Sequence, residues 1–249
     1  MHMLENKVAI VTGASSGIGR ATARLFAAKG AAVVVNARGS EGLDTLVREI
    51  VSAGGRAVAV AGDVCEEAVH EHMVEAALSN YGGLDIAFNN AGIVGPYKPL
   101  AEVSLEEWQR TLAVNLTGAF LGARRQVPAM LAGGGGSIIF TSSFVGTSVG
   151  LPNMASYAAA KAGLMGLVKG LTADYGASGI RANALLSGGV DTPVAGDQAN
   201  KDWAAGLHAL KRIAQPDEIA NAALFLAGPM STFVAGSALF ADGGNAAVK

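Results

Sequence analysis

Val8-Ala9-Ile10-Val11-Thr12-Gly13-Ala14-Ser15-Ser16-Gly17-Ile18-Gly19 is the stretch that decides the fold. Four apolar residues, three of them β-branched, make a short strand, and three glycines then let the backbone turn sharply. Arg20-Ala21-Thr22-Ala23-Arg24-Leu25-Phe26 follows with helical propensity. A strand, a glycine turn and a helix in that order form a phosphate cradle. The glycines allow close backbone approach, and the free N–H groups and positive dipole end of the helix attract an anion.

Outward from this stretch the same alternation repeats. Val33 to Val35, Ala57 to Val60, Ile86 to Phe88, Ile138 to Phe140 and Ala182 to Leu186 read as further strands, separated by longer Ala-rich, helix-period segments. The strands are apolar on both faces, which predicts a mostly parallel sheet covered by helices on each side. The expected fold class is therefore α/β, a single doubly wound, Rossmann-like sheet. Residues 1–249 read as one domain for nucleotide binding and catalysis, with no repeat of fixed period and no domain boundary. Gly133-Gly134-Gly135-Gly136 reads as a flexible surface turn.

Composition excludes several functions. The chain has 249 residues, 51% of them hydrophobic, and a formal charge of −2 from 18 basic and 20 acidic residues. Such a surface does not recruit nucleic acid or anionic lipid by charge, so neither is an expected partner. Cys65 is the single cysteine, which precludes an internal disulfide, and the start of the chain lacks the apolar core of a signal peptide. The apolar runs are too short to span a membrane, so a soluble, cytoplasmic protein is expected. Four histidines offer no metal-ligand set. His70 and His72, two apart on a helix, point to different faces and read as solvated, and Cys65 reads as a packing residue.

In the first turn Gly13, Ser15, Ser16, Gly17, Ile18 and Gly19 are the cofactor-binding candidates, although the spacing is not G-x-G-x-x-G. At the end of the second strand, where an acid would hold the ribose of NAD, the chain has Asn36-Ala37-Arg38. Arg38 suits the additional phosphate of NADP, so NADP(H) is favoured over NAD(H). Ser156-Tyr157-Ala158-Ala159-Ala160-Lys161 lies in a helix read from about Met154 to Gly176. Tyr157 and Lys161 are one turn apart on one face, where an ammonium lowers a phenol's pKa and equips the pair to move a proton.

These motifs resemble the short-chain dehydrogenase/reductase family, in particular its 3-oxoacyl-reductase-like, Tyr-x-x-x-Lys members, and the likeness runs from Lys7 to Gly244. The resemblance implies that Asp63 and Val64 touch adenine, that Asn90, Ala91 and Gly92 line the cofactor, and that Val190 and Thr192, in Gly188-Gly189-Val190-Asp191-Thr192-Pro193, meet the nicotinamide carboxamide. It implies a catalytic set of Asn115, Ser143, Tyr157 and Lys161. Tyr157 would protonate the carbonyl oxygen, Ser143 would hydrogen-bond it, Lys161 would grip the ribose, and Asn115 would hold a relay water. Ala241-Asp242-Gly243-Gly244 matches the family's last-strand ending.

Two departures stand out. Counted from the strand, Ser143 takes the serine position; counted back from Tyr157 the segment is one residue longer than usual, leaving Ser142 as the alternative. Ser187 stands where the family has proline before Gly188, which would loosen the cofactor loop. The expected activity is hydride transfer between a nicotinamide cofactor and a small-molecule carbonyl or secondary alcohol, the alternative being a dinucleotide-binding regulatory or scaffold protein without turnover. Substrate-facing segments are Ile93 to Tyr97, Val149 to Met154, and a mobile lid from Ala195 to Leu210 carrying Trp203, Leu207 and His208. The small residues Ala158, Ala159, Ala160, Ala162, Gly163 and Gly166 suggest close helix pairing in a homotetramer, the alternative being close packing within one chain.

Overall fold

The computed structural model describes residues 3–248. Seven parallel strands form one sheet: β1 (Val8–Thr12), β2 (Ala32–Ala37), β3 (Arg56–Ala61), β4 (Ile86–Asn89), β5 (Gly136–Ser143), β6 (Ile180–Ser187) and β7 (Ala238–Ala241), in the order β3-β2-β1-β4-β5-β6-β7. β1 pairs with β2 from Val8↔Ala32 to Thr12↔Asn36, and with β4 from Ala9↔Ile86 to Val11↔Phe88. The strand order reverses between β1 and β4, and the carboxyl ends of those strands open the crevice in which doubly wound sheets bind ligands.

The sheet is apolar on both faces because alternate residues of each strand enter different cores. Ala9, Val11, Val33 and Val35 pack with α1 (Gly17–Ala28), α2 (Ser40–Ser52) and α8 (Pro216–Ala227) through Phe26, Leu43, Leu46 and Ile219. Val8, Ile10 and Val34 face α3 (Glu67–Tyr81), α5 (Gly118–Ala132) and α6 (Ala155–Tyr175) through Met73, Val127, Met130, Leu164 and Val168. Side chains alternate along a strand, so a continuous apolar run can only sit between two layers. β7, legible only through its last residues, is an edge strand, with Phe240 exposed.

The remaining helices are α4 (Leu105–Leu112), α7 (Gln198–Leu207) and the short α9 (Asn245–Val248). A capping box between Ser104 and Glu107 starts α4, satisfying two amides that have no helical partner. A π turn, Ala113–Thr117, joins α4 to α5.

Two loop expectations change. The Gly133–Gly136 segment is ordered: Gly135 N–H donates to Met130 O at 2.9 Å, Gly136 N–H donates to Gly179 O at 3.1 Å, and a Cβ on Gly135 would lie 2.5 Å from Gly179 O. Those glycines serve close approach of two backbones. The region expected as a mobile lid contains helix α7, started by the Asp197 carboxylate accepting from Asn200 N–H. Among the described residues no helix is long and apolar enough to cross a membrane.

Candidate active site

The glycine turn is built as its spacing demands. Gly13 and Gly17 have φ of +66° and +53°, a region L side chains avoid. A Cβ on Gly19 would lie 2.3 Å from Gly13 O and 2.7 Å from Asn90 Nδ2, so only glycine fits. Helix α1 starts after Ser16 with no side-chain cap and no acidic residue in its first turn. Its amino end therefore keeps unpaired N–H donors beside the cradle, and these fit a pyrophosphate. A Cβ on Gly17 would meet Thr192 Cγ2 at 2.8 Å, which puts the first turn directly beside the loop after β6.

The floor of the cleft is stitched by Thr12, a residue outside the expected set. Its hydroxyl accepts from Asn90 N–H at 2.9 Å and from Ala91 N–H at 3.0 Å. Asn90 Nδ2 donates to Thr12 O at 3.1 Å, and its Oδ1 accepts from the Thr141 hydroxyl at 3.1 Å, tying β1, β4 and β5 together. Asp63 accepts from Cys65 N–H at 3.0 Å and from the Arg110 guanidinium at 3.1 Å. Val64 is buried next to it. Arg38 stands exposed beyond β2, with no ion pair to it among the described residues. Asn36 is buried, its amide donating to Val60 O at 2.9 Å and Gly62 O at 3.2 Å. It braces the strand end and leaves recognition to its neighbours.

On the other side of the floor, Gly92 lies between two of the expected catalytic residues. A Cβ there would come within 2.8 Å of Asn115 Oδ1 and 3.3 Å of Lys161 Nζ. Lys161 is buried, its Nζ donating to Thr141 O at 2.7 Å and lying 5.6 Å from the centroid of the Tyr157 ring. Burial lowers the Lys161 pKa to about 8. Tyr157 differs from the sequence expectation. In the free protein burial pushes its phenol above the ordinary value, opposed by the Ser143 hydroxyl facing it. Desolvation disfavours the charged form of both groups in the free protein.

The register of β5 separates the two serines. Ser142 donates its hydroxyl to Lys161 O at 2.9 Å, on the face turned to α6. Ser143 is the serine that meets Tyr157, near the amino end of the same helix, its hydroxyl also accepting from Val145 N–H at 3.1 Å. Adjacent strand residues point to opposite faces, so only one of them can face the phenol.

Asn115 sits in the π turn and is buried. Its amide donates to Ile93 O at 2.9 Å and Thr111 O at 2.9 Å, and its Oδ1 accepts from Ile93 N–H at 3.2 Å. Both donors are taken, so the side chain locks the Gly92–Ile93 turn onto the helix, and its Oδ1 keeps a second lone pair as an acceptor. π turns displace the helical bonding ladder, which frees backbone groups at such sites.

Two side chains depart from expectation. His70 is buried, not solvated: α3 presses it against the sheet, its Nε2 lies 2.8 Å from Val64 O, and burial lowers its pKa. Cys65 is only partly buried, 3.5 Å from the Arg110 guanidinium, and burial with the Asp63 carboxylate raises its thiol to about 11, leaving it unreactive.

The loop after β6 and helix α7 carry the feature least visible in the sequence. His208, placed in a substrate lid on sequence grounds, is buried behind the loop, where its Nε2 accepts from Gly189 N–H at 3.0 Å. Trp203 remains exposed. Lys201 on α7 pairs with Asp191 at 2.7 Å, holding that carboxyl below its usual range.

A family model described as enoyl-(acyl carrier protein) reductase matches residues 13–246. The chain is 41% identical over 242 residues to cyclohexanol dehydrogenase of Acinetobacter sp. (strain SE19), covering 97% of this chain and 96% of that relative. It is 43% identical over 244 residues to cis-4-hydroxycyclohexanecarboxylate dehydrogenase of Sinomonas cyclohexanicum, covering 97% of each. A solved 7α-hydroxysteroid dehydrogenase complexed with NADH and 7-oxo glycochenodeoxycholic acid superposes with a TM-score of 0.91 at 34% identity, over 98% of this chain and 95% of that one.

Proposed function

The chain belongs to the short-chain dehydrogenase/reductase family, and on that premise we propose that it works as a single domain, residues 1–249, interconverting ring-borne secondary alcohols and ketones with NADP(H), Tyr157 exchanging the proton. It is an NAD(P)-dependent oxidoreductase acting on CH–OH and C=O groups. The convergence of Ser143, Tyr157 and Lys161 beside the Gly92 turn, facing the glycine cradle across one cleft, carries this reading.

Each residue has a physical role in it. The amino end of α1, with Gly13, Ser15, Ser16, Gly17, Ile18 and Gly19, holds the pyrophosphate. Asp63 and Val64 border adenine, Asn90, Ala91 and Gly92 line the floor, and Val190 and Thr192 face the carboxamide. The cofactor, when bound, takes up or supplies the hydride at the carbinol carbon. Ser143 donates a hydrogen bond to the substrate oxygen as charge develops there. Tyr157 takes the hydroxyl proton in oxidation and returns it in reduction, and the Lys161 ammonium stabilises the phenolate that forms. Asn115 acts by fixing the Gly92 turn.

Ring-borne substrates are supported by the alicyclic and steroid alcohols in the relatives' names and by the apolar Ile93, Val149 and Leu151 in the substrate-facing loops. NADP(H) is favoured by Arg38 and by Ala37 standing where an acid would repel the additional phosphate. A panel of cyclic alcohols and ketones, followed by NAD(P)H absorbance in both directions, tests the activity. Turnover of none of them, with either cofactor, overturns the substrate class. Arg38→Ala is expected to weaken NADPH about tenfold and NADH little, as loss of a charge-assisted phosphate contact requires.

A homotetramer is supported by the part of the α6 small-residue stripe that is not used within the chain. Gly163 packs on Leu116 and Ala160 is buried, whereas Ala159 and Gly166 are exposed, as is Phe120 on α5. Sedimentation as a monomer at micromolar concentration overturns it. The single cysteine supports a reducing, cytoplasmic setting.

A further inference from the structure

The loop from Gly188 to Asp191 begins with two glycines and lacks a preceding proline, so it has little stiffness of its own. Three of its anchors are backbone to backbone. Gly188 N–H donates to Ala241 O at 3.1 Å, Gly189 O accepts from Ala214 N–H at 2.8 Å, and Asp191 N–H donates to Ala214 O at 2.8 Å. Two more use side chains: Lys201 pairs with Asp191 at 2.7 Å, and Gly189 N–H donates to Nε2 of His208 at 3.0 Å.

A ring nitrogen accepts only while unprotonated, so His208 is neutral with its hydrogen on Nδ1. Burial favours this state by lowering its pKa, against the opposing influence of Asp242. The ring touches the ends of three strands. It stands edge-on to Phe144, the residue after Ser143, at 5.9 Å and 82°. A Cβ on Gly188 would lie 2.7 Å from its Cε1, one on Gly189 would lie 3.1 Å from its Nε2, and one on Gly243 would lie 3.2 Å from its Cβ. The imidazole thus takes space that a side chain at Gly188 would need, and at Gly189 it does so together with Ile213, whose Cγ2 would lie 2.9 Å from a Cβ there.

A cavity of about 180 Å³ lies alongside, lined among others by Gly189, His208, Arg212, Glu218 and Asp242. A loop bordered by such a space has room to shift when an anchor is removed. His208 also directly follows α7, which is fastened near its other end by the Lys201–Asp191 pair.

We infer that His208 is a positioning residue that sets the Gly189 amide, and with it the placement of Val190 and Thr192 towards the nicotinamide, while coupling that loop to α7. This rests on the proposed dinucleotide site. His208 touches neither substrate nor cofactor; it acts through Gly189.

The test is calorimetric titration of wild type, His208→Leu and His208→Gln with NADPH and with 2′-phospho-ADP-ribose, the fragment without nicotinamide. His208→Leu should weaken NADPH about tenfold, the loss of one oriented hydrogen bond, and raise its KM, while the fragment binds within about twofold of wild type. His208→Gln, whose side-chain oxygen can accept from Gly189, should recover most of the affinity. Equal weakening of both ligands, no weakening of either, or a Gln variant no better than Leu overturns the inference. Should the Leu variant not fold, His208→Asn replaces it, because its shorter amide cannot reach Gly189, and the same outcomes apply. Failure of wild type to bind either ligand is a different result, which removes the dinucleotide reading itself.

Discussion

The amino half of the sheet, β1 to β4, and the carboxyl half, β5 to β7, build opposite walls of the cleft by different means. In the amino half the cradle takes its shape locally, since Gly13, Gly17 and Gly19 form a turn between β1 and the helix it feeds, and Thr12 fastens that turn to the Asn90–Ala91 segment. In the carboxyl half the tasks arise across long gaps, as when Lys161 bonds Thr141 O, or His208 bonds Gly189 N–H. Binding a phosphate needs a local backbone shape, whereas moving a proton needs side chains gathered from several strands.

Substitutions in the catalytic set should separate from those in the glycine cradle. Tyr157→Phe should lower kcat by about 10²- to 10⁴-fold with NADPH affinity unchanged, measured by steady-state kinetics and fluorescence titration. Retained turnover would break the division. Ser143→Ala should cost about 10²-fold in kcat, as loss of one oxyanion donor does. Ser142→Ala should instead leave kcat within severalfold and cost about 1 kcal/mol of stability in a urea melt, because its hydroxyl serves Lys161 O.

On the binding side, Gly19→Ala would force a methyl to 2.3 Å from Gly13 O. The expected cost is about 1–3 kcal/mol of stability, with cofactor affinity lost and a lower Tm. A normal melt with normal binding would show that the turn tolerates expansion. The last test concerns Lys161. Its folded pKa of about 8 lies below the ordinary 10.5, so the unfolded chain binds the proton more readily between those values. Lys161 therefore adds stability to the free protein as pH rises from about 8 towards 10.5, and that contribution is lost as pH falls through 8. Lys161→Met should remove this part of the pH dependence in denaturation curves.

This contrast also explains what could be read from the chain. The six central and amino-side strands, both apolar faces and the glycine cradle were legible because periodicity and spacing encode them directly. Helix α6 was expected from Met154 to Gly176 and runs Ala155–Tyr175. The choice between Ser142 and Ser143 was left open in the sequence, and only the register of β5 against α6 distinguishes their surroundings. His70 and His208 were misjudged for a shared reason. Each is a polar residue next to loop-like or helical sequence, and its burial depends on elements that pack over it from elsewhere. A buried histidine carries no local signal. The pairs of adjacent glycines at 188–189 and 243–244 were the one available hint, since they make room for the His208 side chain and the Ala209 methyl next to it.

The strand order has a consequence for how the molecule is made. A chain emerging amino end first can lay down β1, β2 and β3 once Ala61 has left the ribosome, and α1 and α2 can cover one face. At that stage β1 is a bare edge, with its inner pairing groups open to any other extended segment. Only when Ile86–Asn89 arrives is that edge closed, and only then does the Thr12 hydroxyl receive the Asn90 and Ala91 amides. The glycine turn is thus translated among the first residues but given its floor by a later strand, so the nascent chain carries half a nucleotide site and an unprotected seam through the synthesis of the intervening helix.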